Sequence, residues 1–80
     1  MLTGQKVKIK KFSKESYLLY KHYKCQSPLM VCPCHLEDKI LEVVQTFENR
    51  TALLRFNDSI SIAYIKDLTI VADTAHHQIP

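Results

Sequence analysis

Three cysteines fall within ten residues, Cys25, Cys32 and Cys34, with His35 directly after them and His22 three residues before Cys25. Three thiolates and one imidazole form a closed tetrahedral set for zinc, so Cys25, Cys32, Cys34 and His35 are the candidate ligands of a structural metal. A metal cross-link would also order a long loop that has few other anchors. The spacing departs from the usual pattern: structural sites favour cysteines two to four residues apart, and here six residues and one residue intervene. In extended backbone Cys34 and His35 point to opposite sides. Pro33 is the one element that bends the chain enough to converge Cys32 and Cys34. The competing reading, which the spacing favours, has no cofactor and treats Cys25 and Cys32 as small buried hydrophobes. An odd cysteine count without an export signal argues against a disulfide framework.

Adjacency does not make Cys34 and His35 a nucleophile and its base, because the fold, not the sequence neighbour, brings such pairs together. Gly4 is the only glycine, so no glycine-rich phosphate loop exists. Asp58 and Asp67 stand in turn contexts, where carboxylates cap backbone donors. No catalytic constellation is assembled, and the expectation is a protein that is not an enzyme.

The second chemical feature is charge. Residues 1–24 hold Lys6, Lys8, Lys10, Lys11, Lys14, Lys21 and Lys24 against one acid, Glu15, a balance of +6. The remainder of the chain carries −3, and the two give the formal +3 of the whole. A basic arm on a mildly acidic body attracts polyanions to one side. The same arm carries Phe12, Tyr17, Tyr20 and Tyr23, four of the seven aromatic residues. Lysines neutralise phosphates by counterion release, and tyrosines stack on unpaired bases. Lys8, Lys10, Lys11, Tyr20, Lys21, Tyr23 and Lys24 are therefore the candidate nucleic-acid contacts, Tyr20 and Tyr23 being the rings expected to be exposed. A preponderance of lysine over arginine suits backbone contact better than base reading. The alternative for Lys6, Lys8 and Lys10 is protection of an edge strand against pairing with another chain.

The elements that must position these groups are short. At 80 residues the chain allows one domain, and 46% hydrophobic residues suffice for a core. Lys6 to Lys10 alternates polar and apolar, a half-buried strand with Val7 and Ile9 inward, entered through Gly4. Residues 13–24 fit either a short helix, capped by Ser13 with Glu15 in its first turn, or an extended segment. Pro28 and Pro33 make 25–38 a loop. Three strand-like runs follow: 40–47, 51–56 with Ala52, Leu54 and Phe56 on one face, and 59–62 with Ile60 and Ile62 inward. Turns at 48–50 and 57–58 separate them. One 3₁₀ turn over 64–68 precedes a last strand at 69–72, and 74–80 is expected to fray.

Gly4-Gln5-Lys6-Val7-Lys8-Ile9, the meander from Ile40 to Ile62 and the stretch Ile65-Lys66-Asp67-Leu68-Thr69-Ile70-Val71 together resemble the strands and closing turn of SH3-like small barrels of the KOW and Tudor kind. The resemblance spans about 50 positions and is one of spacing. It implies a mainly β domain over residues 1–73, a five-stranded barrel with a long first loop, 11–38. In such barrels the first long loop often forms part of the ligand surface.

No apolar run reaches the roughly 20 residues of a membrane helix, and the N-terminus lacks a signal-peptide core. The expected setting is cytoplasmic, without a membrane partner. The leading expectation is a non-catalytic module that binds DNA or RNA through the basic, tyrosine-containing arm. The alternative is a protein-interaction or regulatory subunit. It would dock a partner, or a second copy as a homodimer, through the 25–38 loop around Leu29, Met30 and Val31 or through a barrel edge.

Overall fold

The computed structural model describes residues 1–71; the expected fraying of 74–80 lies outside the described residues. Five strands form one antiparallel sheet: β1 (Lys6–Ile9), β2 (Leu41–Thr46), β3 (Thr51–Phe56), β4 (Ser59–Tyr64) and β5 (Leu68–Ile70). One helix, α1 (Lys14–Tyr23), lies between β1 and β2. The strand order is β4-β3-β2-β1-β5, and the described strands do not close into a ring, because β4 and β5 stand at opposite ends of the order.

Local chemistry explains the boundaries. Gly4 sits at φ 88, a conformation costly for a residue with a Cβ, and its N–H donates to the Val43 carbonyl at 2.7 Å. Segment 14–23 is helical because Ser13 caps it: the Ser13 Oγ accepts from the Ser16 N–H at 3.2 Å. Glu15 in the first turn and Lys21 and His22 in the last complement the helix dipole. The β2–β3 turn closes with Phe47 and Arg50 bonds, Arg50 at φ 64. The β3–β4 hairpin turns at Asn57, φ 53, a residue type that tolerates the left-handed region.

The core gathers Val7, Ile9, Leu41, Val43, Ala52, Leu54, Ala63 and Leu68 from all five strands. The long connection contributes too: Leu36 joins this cluster, and Cys32 and Pro33 are buried. The 25–38 segment is fastened to β4. Val31 donates to the Ile60 carbonyl at 2.8 Å, Ile60 to the Leu29 carbonyl at 3.0 Å, and the Ser61 hydroxyl to the Val31 carbonyl at 2.8 Å.

One expectation about facing is corrected. Directly opposed residues of an antiparallel pair share a sheet face. Leu54 opposes Ser61 and Ala52 opposes Ala63, so Ser61 and Ala63 complete the core face. Ile62 opposes Leu53 and Ile60 opposes Arg55, which puts both isoleucines on the other side of the sheet, where Ile62 is buried as expected and Ile60 only half-buried. The alternation of 59–62 was legible, but its phase relative to the core depends on the register with β3.

Candidate functional site

A buried carboxylate organises the start of α1. Asp67 is inaccessible to solvent and ends the 3₁₀ turn Ile65–Asp67 that leads into β5. Its Oδ2 accepts from the Ser13 hydroxyl, from the Ser16 hydroxyl at 2.5 Å and from the Ser13 N–H at 3.3 Å. The Ser16 Oγ in turn accepts from the Tyr64 N–H at 2.9 Å. The Asp67 carbonyl takes the Lys10 and Lys11 N–H groups at 2.7 and 3.3 Å. Burial pushes the Asp67 carboxyl up, but hydrogen bonds from Ser13 and Ser16 outweigh it and hold the group below its ordinary value. Both serine hydroxyls donate into the carboxylate and accept from backbone N–H groups. This cluster therefore joins α1, β4 and the β1–α1 connection, and its hydroxyls are committed to structure. Sequence reading anticipated Asp67 as a cap. It did not identify the partners, more than fifty residues away.

Two basic groups flank that junction. Lys8 stands on β1, and Lys10 and Lys11 follow in the connection to α1; all three are exposed. Lys21 and Lys24 are exposed at the far end of α1, about 15 Å along the axis of a ten-residue helix. The Lys21 ammonium lies 5.5 Å from the Tyr17 ring centroid, and Tyr17 meets Phe12 edge to face at 5.8 Å. Tyr17 is the exposed ring, whereas Tyr20 and Tyr23 are half-buried on the side of α1 that carries buried Ser16. Their spacing from Ser16, four and seven residues, puts them on its packing face, toward β4.

Among the described residues, ion pairing does not engage the lysines of the basic arm. Among the described residues the ion pairs are Arg55–Glu42 at 2.5 Å and Lys66–Glu15 at 2.7 Å. Hydrogen bonding to Lys66 holds the Glu15 carboxyl below its usual range. The one acid of the arm is thus paired with a lysine from outside it, and among the described residues none of the arm's seven lysines is in an ion pair. Two of them do lie near an acid: Lys6 stands opposite Glu42, and the Lys11 charge helps lower the Asp67 carboxyl. β1 lies between β2 and β5. Edge protection therefore does not account for Lys6 and Lys8, which sit on an interior strand.

The outer sheet face runs continuously through Lys6, Glu42, Arg55 and Ile60 across β1, β2, β3 and β4. Beside it opens an apolar groove of about 690 Å³, lined by Tyr23, Met30, Phe47, Leu53, Ile60 and Ile62 among others. The sequence singled out Met30 within a docking segment but not the groove that it lines. Its lining comes from α1, the 25–38 segment and three turns or strands, which only the fold brings together.

The cysteine set divides. Cys32 is buried, Cys34 exposed, and their Sγ atoms are 2.9 Å apart. The bend at Pro33, which begins the 3₁₀ turn Pro33–Leu36, produces this approach. Cys25 is exposed on the separate turn Lys24–Gln26. Among the described residues no group of three or more His, Cys, Asp or Glu side chains is placed to hold a metal, so Cys25 and His35 do not join the pair. Burial, and then the hydrogen bond with Cys34, push the Cys32 thiol up to about 11.

No helix among the described residues is long and apolar enough to cross a membrane. Compared with protein-family models, curated proteins and solved structures, the chain matches none.

Proposed function

We propose that the protein is a non-catalytic binding module that contacts nucleic acid through its N-terminal basic arm, on an SH3-like arrangement of strands. The observation that carries this reading is the exposed lysine arm, which makes no ion pair among the described residues. Its Lys6 and Lys8 lie on β1, which has β2 and β5 for neighbours. Tyr17 with Lys21 adds an exposed ring for base stacking next to a phosphate-binding charge. The strand order and the 3₁₀ turn before β5 support the SH3-like comparison; the barrel itself is part of the proposal.

Fluorescence anisotropy with labelled single-stranded oligonucleotides over a salt series tests the reading. Binding whose logarithm falls linearly with log salt, with a slope of about −0.7 per phosphate neutralised, supports it. Binding that is absent at low salt, or flat across salt, overturns it.

The groove favours a second reading, a protein-docking module. Its lining is mostly apolar, and Met30 belongs to the segment expected to dock a partner. A complex or homodimer held there keeps its affinity at high salt, because apolar burial is not screened. Size-exclusion chromatography at two salt concentrations separates the two readings.

A further inference from the structure

We propose that Cys32 and Cys34 form a reversible dithiol–disulfide couple that exchanges with small disulfides of the glutathione class. The two sulfurs stand 2.9 Å apart, within about 1 Å of a disulfide bond length of ~2.05 Å, while both remain free thiols. The approach is built into the fold and does not depend on chance closure of a loop. Cys32 precedes Pro33, and both are buried with Leu36, a member of the main core cluster. Just upstream, Val31 is bonded to β4 on two sides. One partner is closed off and one is open: Cys34 is exposed and accessible to an oxidant, and Cys32 waits behind it. This is the arrangement of an attacking and a resolving thiol.

The exchange balances in two steps. The Cys34 thiolate attacks one sulfur of glutathione disulfide, the sulfur–sulfur bond breaks, and one glutathione leaves as thiolate. The Cys32 thiol gives up its proton and attacks the Cys34 sulfur of the mixed disulfide, releasing the second glutathione. Two protein thiols are oxidised by two electrons, and one glutathione disulfide is reduced to two thiols, which take up the two protons. Cys25 lies on another turn and takes no part.

The experiment uses the full chain carrying Cys25→Ser, equilibrated over a series of reduced-to-oxidised glutathione ratios, acid-quenched, alkylated and weighed intact. The expected product loses two hydrogens, carries no alkyl group and carries no glutathione. With Cys32→Ser added, Cys34 stops at the mixed disulfide. In urea the midpoint moves by about tenfold toward more oxidising ratios, because the fold no longer holds the sulfurs together. Two free thiols at the most oxidising ratio, a persistent mixed disulfide in the parent chain, or equal midpoints with and without urea would overturn the proposal. The chain with all three native cysteines supplies a check that needs no substitution. Phenylarsine oxide, which bridges paired thiols, protects Cys32 and Cys34 but not Cys25 from alkylation. Alkylation of all three at equal rates counts against the couple.

Discussion

Neighbouring residues of β3 and β4 meet two different environments. On one side Ala52, Leu54, Ser61 and Ala63 are sealed against β1, β2 and Leu36. On the other, Thr51 and Ile62 are buried, but Leu53, Arg55 and Ile60 are partly or fully exposed, and Leu53 and Ile60 line the groove. Both sides are encoded in the same two strands, since side chains alternate with period two. The first side answers to volume, because close-packed interiors tolerate neither gaps nor excess atoms. The second carries the groove and the end of the charged row. It is where substitutions are expected to change binding before they change stability.

Leu54 and Leu53 give the sharpest way to break this comparison. Leu54→Ala should lose about 3–5 kcal/mol in urea unfolding, through lost burial and a cavity. Half-buried Leu53 should lose only about 1 kcal/mol on the same change. Equal losses would mean that both faces are core. Next in size is Asp67→Ala, which strips an acceptor from buried Ser16 and half-buried Ser13 and should cost about 2–4 kcal/mol.

The same carboxylate makes a pH prediction. Its folded pKa is depressed, so its contribution is complete above the unfolded value of about 3.9 and is lost as pH falls through the lower folded value. Asp67→Asn should therefore show a shallower decline in stability below about pH 4 than the parent chain. A steeper or equal decline would place the acid sensitivity elsewhere. The smallest stability effect belongs to the arm. Lys8→Glu with Lys10→Glu should stay within about 0.5 kcal/mol of the parent. The salt slope of oligonucleotide binding should meanwhile fall by about 1–2. A large stability loss would make those lysines structural.

Much of the strand framework could be read directly. The run 51–56 became β3 without adjustment, and Lys6–Ile9, the 3₁₀ turn and the two tight turns stand where periodicity and turn residues put them. The helix over 14–23 stayed open from sequence because its propensities are mixed. Its cap and the Asp67 contacts decide it. Less of the candidate site was visible. The lysine arm follows from composition alone, but Tyr17 rather than Tyr20 or Tyr23 is the exposed ring. That choice depends on which helix face meets β4. Cysteine spacing raised four ligands for zinc, and the fold joins only Cys32 and Cys34.

What the sequence by itself determined is what depends on neighbours along the chain: strand periodicity, turn chemistry and the split of charge between arm and body. The tertiary structure decided what depends on register and long-range contact. It put Ile60 and Ile62 on the face opposite the main cluster, with Ile62 buried there, made β1 an interior strand and gave Asp67 its serines. It also brought Cys34 against Cys32 while leaving Cys25 apart. Short-range preferences act over a few residues, whereas pairing register and burial are set by segments as far apart as Val7 and Ile70.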